Sequence, residues 1–263
     1  MMTARRPVTL ITGASAGIGA ALARVFAAHG HELALLARRG THLKALADEI
    51  EARGGQRPHI LEIDLLRADA MTRIDNDLAT RGLEPGNVVN SAGFGMIGPA
   101  AELDRAEQLA MIDLNVRALT DLSLRFIESL KRHRGGILNI GSVASFLPGP
   151  NMAVYHATKA YVLSFTEALH RELAPQGIRV TALCPGPVET EFQARAGIPR
   201  NFFPKILGRS VESVAQHGYD GFMRGKRLVI PGTENKITTL LPRILPRALV
   251  LGIVTSSQGK IER

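Results

Sequence analysis

The stretch VYHATKA, residues 154–160, places Tyr155 four positions before Lys159. At this spacing both side chains would lie on one face of a helix. A free phenol has a pKa of about 10, too high for efficient proton transfer at neutral pH, and a nearby ammonium group favours the phenolate. The pair could therefore exchange a proton with a substrate oxygen. Chance also produces this spacing in a chain with three tyrosines and seven lysines, so the surrounding sequence must decide.

The elements that would position this pair alternate between apolar strands and helices. Continuous apolar strands joined by helices are typical of a parallel sheet that is covered on both faces. No linker rich in Pro, Gly or Ser divides the 263 residues. We therefore predict an α/β fold, a single doubly wound Rossmann-type domain that binds ligands at the carboxyl ends of its strands. The predicted strands are 7–13, 31–39, 59–65, 87–93, 135–142, 178–186 and 227–233, and the predicted helices are 18–30, 41–53, 68–82, 104–133 and 152–174.

A glycine-rich turn, TGASAGIG at 12–19, connects the first predicted strand to the first predicted helix. Gly13, Gly17 and Gly19 follow the spacing G-x3-G-x-G. Glycines let the backbone turn tightly and approach a pyrophosphate, which then lies at the positive N-terminus of the helix. A tight turn without a ligand is the alternative, but at the first turn of this fold the pattern predicts a dinucleotide site.

The end of the second predicted strand favours NADP over NAD. An acidic residue at this point would bind the adenosine ribose hydroxyls and repel a 2′-phosphate. The sequence LLARRG instead has Arg38 and Arg39 there. Arginine forms charge-assisted bonds to phosphate, and Ser15 could help to hold the same group. Two solvated arginines are the alternative, but we expect NADP(H) as the cofactor.

Charge and composition argue against several other functions. The net charge of +8 favours an anionic partner, but the arginines are scattered, so we expect no nucleic-acid partner. Cys184 is the only cysteine, and the eight histidines show no metal-ligand spacing, so we predict no disulfide, no metal and a reducing, cytoplasmic compartment. The apolar run after the first arginines is too short for a signal peptide, and no segment has the roughly 18 apolar residues of a membrane span.

The chain resembles the short-chain dehydrogenase/reductase family over roughly residues 7–232, because several short motifs occur in that family's order. These motifs are TGASAGIG at 12–19, Asp64 after the third predicted strand, NSAG at 90–93, Asn115 in DLNV, Ser142 after LNIG, YHATK at 155–159 and PGPVET at 185–190. Two positions differ from the common pattern. Ser91 stands where the family often has Asn, and Val143 stands where it often has a second Ser. Neither position is assigned to chemistry.

The resemblance implies a role for each site residue. Tyr155 would be the general acid and base, and Lys159 would lower its pKa and bind the nicotinamide ribose. Ser142 would hold the substrate oxygen, and Asn115 would hold a water in the proton relay. Without the resemblance, Ser142 would be read as a turn former and Asn115 as a back-bonded polar group. The expected cofactor-binding residues are Gly13, Ser15, Gly17, Ile18, Gly19, Arg38, Arg39, Asp64, Leu65, Asn90, Ala92, Gly93, Tyr155, Lys159, Pro185, Gly186, Val188 and Thr190.

Substrate specificity is expected in the segment that follows Thr190. Apolar and basic side chains alternate there, which would suit an apolar ketone or alcohol, with or without an acidic group. Packing of a lid or a subunit contact would explain the same residues equally well. The residues concerned are Phe192, Arg195, Ile198, Arg200, Phe202, Phe203, Lys205, Ile206 and Leu207.

The C-terminal segment, 237–260, is apolar but interrupted by prolines and arginines, so it is a poor membrane-spanning helix. We expect it to pack on the catalytic domain, over the active site or on a partner subunit rather than on a membrane surface. We accordingly divide the chain into a dinucleotide-binding catalytic domain, 1–236, with its substrate loop at 191–225, and a C-terminal extension, 237–263. We also expect a homodimer or a homotetramer.

Together these observations predict an NADP(H)-dependent oxidoreductase that interconverts a carbonyl and an alcohol of a small, apolar molecule by hydride transfer. Two alternatives remain. A sugar epimerase or dehydratase of the extended branch usually has an earlier G-x-x-G-x-x-G pattern and a larger C-terminal domain. An NADP-binding regulatory or scaffold protein without turnover is the other alternative, and the intact Ser142, Tyr155 and Lys159 argue against it.

Overall fold

The computed structural model of the protein describes residues 5–199 and 208–258. Over these ranges seven parallel strands form one sheet in the order β3-β2-β1-β4-β5-β6-β7. This order confirms the predicted doubly wound sheet. The strands are β1 (Arg6–Thr12), β2 (Leu33–Ala37), β3 (His59–Glu62), β4 (Leu83–Asn90), β5 (Gly136–Ile140), β6 (Arg179–Leu183) and β7 (Leu228–Val229).

The α-helices follow the strands in the alternation that the sequence predicts up to β6. They are α1 (Gly17–Ala28), α2 (Gly40–Ala52), α3 (Ala70–Thr80), α4 (Arg105–Ile112), α5 (Leu119–Arg125), α6 (Ile127–Arg132), α7 (Ala153–Leu173), α8 (Glu191–Ala196), α9 (Val211–Met223), α10 (Thr233–Ile244) and α11 (Arg247–Gln258). None of the described helices combines the length and the apolar character needed to cross a membrane.

Alternation along the strands assigns successive side chains to the two large clusters of the hydrophobic core. In β1, Leu10 and Ile11 belong to different clusters, and in β4 the same is true of Val88 and Val89. One cluster contains buried residues of α1, α2 and α9, and the other contains buried residues of α3, α5, α6 and α7. Because successive side chains of a strand point to opposite faces, helices cover both faces of the sheet, as predicted.

The predicted long helix at 104–133 is not continuous. It consists of α4, a π-helix at Asp113–Ala118, α5 and α6. π-helical turns are uncommon and often occur at functional sites. This one contains Asn115, so the irregular turn coincides with a predicted site residue.

The sequence analysis did not predict α8, α9, α10 and α11. In α9, Gly218 and Gly221 lower the intrinsic helix propensity, although Ser210 caps the helix by accepting a hydrogen bond from the Ser213 amide at 3.2 Å. In α10, Pro242 lies inside the helix, where a sequence reading places a helix end. Tertiary packing therefore overrides local propensity in this half of the chain.

Phe26 of α1 offers a test of the core. Its side chain is fully buried and makes edge-to-face contacts with Tyr219 at 4.8 Å and with His31 at 5.0 Å between ring centroids. We expect Phe26→Ala to lower the free energy of unfolding by about 3–5 kcal/mol in chemical denaturation, because it leaves a cavity. Leu109→Ala, at a position 48% exposed, is the control and should change it by no more than about 0.5 kcal/mol. Equal effects of the two substitutions would contradict this packing.

Candidate active site

A cleft of about 640 Å³ opens at the carboxyl ends of the central strands. The glycine turn, the end of β2, the loop after β4, the turn after β5, α7, the loop after β6 and the C-terminal helices all contribute to its lining. Every residue predicted for catalysis or cofactor binding lines this cleft, except Asn90 and Asn115.

Tyr155 and Lys159 both lie on α7 and face the cleft. Lys159 is 7% exposed, and its Nζ donates a hydrogen bond at 2.8 Å to the carbonyl oxygen of Ile140, the last residue of β5. The same Nζ lies 5.9 Å from the centroid of the Tyr155 ring. The predicted i and i+4 arrangement is therefore present, with the lysine tied to the end of a central strand.

Burial dominates the proton affinities of this pair. It raises the pKa of Tyr155 to about 12, while hydrogen bonding with Ser142 acts in the opposite direction. It lowers the pKa of Lys159 to about 8. Burial is therefore the larger effect on Tyr155, and a lowering of its pKa by Lys159 stays a prediction.

Ser142 follows β5 and is held by a reciprocal cap. Its Oγ accepts a hydrogen bond from the Ala144 amide at 3.1 Å, and its own amide donates to Ser145 Oγ at 3.2 Å. The short 3-10 helix Val143–Phe146 that begins here is also tied to the loop after β6, because the Val143 amide donates to the Pro185 carbonyl at 3.0 Å. These bonds fix the position of the hydroxyl beside Tyr155.

Asn115 is buried behind the cleft rather than in its wall. Its Nδ2 donates to the Phe94 carbonyl at 2.9 Å and to Thr158 Oγ1 at 3.2 Å, and its Oδ1 accepts from the Phe94 amide at 3.1 Å. The side chain thereby joins the loop after β4 to α7, one residue before Lys159. The π-helical turn provides the local irregularity from which this amide reaches both partners.

The glycine turn packs closely against the loop after β4 and leads into α1. Gly13 has a φ of +66°, and a Cβ added there would lie 2.8 Å from the Ala92 amide nitrogen. Ala16, at the N-cap of α1, provides no side-chain cap for the helix. The first amides of α1 therefore remain available to an anion at the positive end of the helix.

Arg39, which follows β2, lies beside Ser15 of the glycine turn. Arg39 Nη2 donates to Ser15 Oγ at 3.1 Å and also pairs with Glu191 Oε2 of α8 at 2.8 Å. Arg38 is exposed at the edge of the cleft. Glu191 was not predicted, and it would compete with a 2′-phosphate for Arg39.

Asn90, which was predicted for the cofactor site, has its side chain behind the cleft rather than in its lining. It is 3% exposed, and its Nδ2 donates to Asn139 Oδ1 at 2.8 Å and to Ser123 Oγ at 3.0 Å. It is the last residue of β4, and the pleat directs its side chain to the face that α5 covers. The chain turns into the cleft only from Ser91 onward.

Arg195 and several C-terminal residues also line the cleft. The guanidinium of Arg195, predicted only as part of the substrate segment, lies 4.2 Å over the ring of Phe94. Burial and then the charge of Arg38 lower the pKa of Arg195. The C-terminal residues in the lining are Asn235, Thr238, Pro242, Leu245, Val250, Ile253 and Val254. The spacings 238/242 and 250/254 are helical repeats that could have indicated this side of α10 and α11.

The predicted substrate segment is only partly within the described residues. Phe192 and Ile198 line the cleft, and the ring of Phe192 lies 5.4 Å from that of Tyr155. The other predicted residues of the segment, Arg200, Phe202, Phe203, Lys205, Ile206 and Leu207, lie outside the described residues.

Comparisons with known proteins agree with this arrangement. A family model described as short chain dehydrogenase matches residues 7–200. Sulfoacetaldehyde reductase 2 of Chromohalobacter salexigens is 37% identical over 188 residues, which are 70% of this chain and 74% of that protein. A short-chain dehydrogenase from Sphingobium yanoikuyae, solved in complex with NADPH, is 33% identical with a TM-score of 0.80 over 92% of this chain and 98% of that one. The bulky-bulky ketone specific alcohol dehydrogenase from Comamonas testosteroni is 28% identical with a TM-score of 0.74 over 93% of this chain and 96% of that one.

Because Lys159 is buried, we expect the free energy of unfolding to increase as the pH rises above 8. Burial lowers the pKa of Lys159 from 10.5 to about 8. Below pH 8 the buried amine is charged, and this charge destabilises the folded state by its full amount. The destabilisation decreases as the pH rises from 8 toward 10.5, because only the unfolded state keeps the proton in that range. Lys159→Met should therefore be more stable than the wild type at pH 7, and the difference should shrink by roughly 2 kcal/mol at pH 9.5. Urea denaturation at pH 7 and at pH 9.5 measures the difference in the free energy of unfolding between the two proteins.

Lys44→Met, at an exposed position of α2, is the matched control for loss of one lysine. A stability difference between wild type and Lys159→Met that is the same at both pH values would contradict the buried charge.

Proposed function

The chain belongs to the short-chain dehydrogenase/reductase family, and we propose that it is an NADP(H)-dependent oxidoreductase that interconverts a carbonyl and an alcohol by hydride transfer. The observation that carries this proposal is the convergence of Ser142, Tyr155 and Lys159 on the cleft that begins at the glycine turn. A proton donor and a dinucleotide-binding turn in one cleft are what reduction of a carbonyl requires.

The cofactor assignment rests on two features of this chain. The uncapped N-terminus of α1, at the end of the glycine turn, suits a pyrophosphate. Arg38 and the Arg39–Ser15 pair suit a 2′-phosphate, and the NADPH complex of the Sphingobium relative supports that choice. The cofactor, when bound, would supply the hydride and, in its oxidised form, a positive charge that favours the phenolate of Tyr155.

The protein groups would handle the proton and orient the substrate. In the direction of reduction, Tyr155 donates a proton from its hydroxyl to the carbonyl oxygen, and Ser142 donates a hydrogen bond to the same oxygen. Lys159 would bind the nicotinamide ribose, and its charge would favour the phenolate of Tyr155. Asn115 supports the proton relay from behind the cleft, where it holds Phe94 and Thr158.

The substrate class follows from the cleft wall beside Tyr155. Phe192 and Ile198 present apolar surface there, which favours an apolar ketone or alcohol. The name of the Comamonas relative, a bulky-bulky ketone specific alcohol dehydrogenase, supports the same class. The substrate would therefore be a small apolar molecule, and a homodimer or a homotetramer is proposed for the assembly.

Removal of the Tyr155 hydroxyl tests the general acid. We expect Tyr155→Phe to reduce kcat for ketone reduction by at least about 100-fold while the Kd for NADPH changes little, because the ring and its packing remain. Tyr161→Phe, on the same helix and at a position 40% exposed, is the matched control and should retain activity. Near-full turnover by Tyr155→Phe, measured as NADPH absorbance loss across a ketone panel, would exclude this role.

Removal of the Arg38 charge tests the choice of cofactor. Wild type should bind NADPH more tightly than NADH, and Arg38→Ala should lose roughly tenfold or more of that preference, because NADH lacks the 2′-phosphate. Fluorescence titration of both nucleotides measures the two Kd values. Arg53→Ala, at the end of α2 and 70% exposed at its side chain, is the control. If NADH binds the wild type as tightly as NADPH, the assignment fails.

A further inference from the structure

The C-terminal helices α10 and α11 have an apolar outward face in addition to the side that lines the cleft. Its residues are the most exposed of the large apolar side chains that the structure describes. Their spacing within each helix, i, i+3 and i+7 in α10 and i and i+4 in α11, gives each helix one exposed apolar stripe. They are Ile237 at 55%, Leu240 at 51%, Ile244 at 79%, Leu249 at 57% and Ile253 at 59% exposed.

The charged residues of the C-terminal segment between Glu234 and Glu262 are all basic. Between Glu234 and Glu262 the sequence has no acidic residue, and Glu234 itself is paired with Arg209. The basic residues of the segment are Lys236, Arg243, Arg247 and Lys260. Exposed apolar stripes accompanied only by basic residues are complementary to an anionic lipid surface, where each charge adds to the apolar contact.

The outward face is continuous with the mouth of the cleft. Ile253 is 59% exposed and also lines the cleft, and its neighbours on the inner side, Val250 and Val254, line it as well. A lipid surface on this face would place the mouth against a medium in which apolar molecules dissolve.

We propose that the outward face of α10 and α11 docks on an anionic bilayer surface, with the mouth of the cleft toward the lipid. Each helix has 12 residues and is about 18 Å long, so it would lie in the interface rather than cross the roughly 30 Å hydrocarbon core. The expected internal packing of the C-terminal segment would then apply only to the side of α10 and α11 that lines the cleft.

Vesicle co-sedimentation of the full-length protein tests the proposal directly. The vesicles are phosphatidylcholine with and without phosphatidylserine, each at low and at high salt. We expect binding that requires phosphatidylserine and decreases at high salt. The double variant Ile244→Glu, Leu249→Glu should bind at least about tenfold less, and Leu109→Glu, at a position 48% exposed outside the segment, is the matched control.

A second variant keeps the test independent of any folding defect. Lys236→Glu with Arg247→Glu leaves the apolar stripes intact and should remove the dependence on phosphatidylserine. Light scattering of every variant reports its mass. Absence of binding to any vesicle by the wild type would overturn the proposal. If, in addition, Ile244→Glu, Leu249→Glu has a smaller oligomer mass than the wild type, the face would be assigned to a second copy of the chain. Because the experiment measures binding and not turnover, its outcome is independent of the proposed reaction.

Discussion

A buried ammonium group is the constraint on which the cleft depends. Lys159 is 7% exposed, its Nζ donates a hydrogen bond to the carbonyl oxygen of Ile140 at the end of β5, and burial lowers its pKa to about 8. Charged groups are rarely buried without compensation, so the surrounding elements must be held closely in place. The loop after β4 fits tightly here, since a Cβ on Gly93 would lie 2.9 Å from Asn115 Oδ1 and 3.7 Å from Lys159 Nζ. Four elements therefore meet around Lys159 and must pack together there: the end of β5, the loop after β4, the π-helical turn and α7.

A line of buried polar side chains holds α7 against the sheet. Asn90 of β4 donates to Asn139 of β5 at 2.8 Å, and Asn139 donates to Thr166 of α7 at 3.0 Å. All three are buried, and such bonds inside an apolar core specify one arrangement because leaving any partner unpaired is unfavourable. Thr166 lies two helical turns beyond Lys159. Asn90 thus helps to position α7, and its contact with a cofactor stays a prediction.

The sequence predicted those parts of the molecule whose local pattern and tertiary environment agree. The strands up to β6, the glycine turn and the Tyr155–Lys159 spacing are of this kind, because buried parallel strands and tight turns need particular residue types. The π-helical turn around Asn115 could not be predicted, since it is stabilised by bonds to Phe94 and Thr158, distant in sequence. The C-terminal helices were missed because Pro242 interrupts the pattern and because their apolar residues occupy two sides, one toward the cleft and one exposed.

The central claim is that the cleft transfers a hydride between a nicotinamide and the carbonyl carbon of an apolar substrate. The most direct test uses NADPH deuterated at the transferred position and an apolar ketone, with mass spectrometry of the product. The account predicts an alcohol that carries one deuterium on the carbinol carbon, formed in equal amount with the NADPH consumed. A product that carries no deuterium, or a ketone panel that leaves NADPH unconsumed while it binds the protein, would contradict the account.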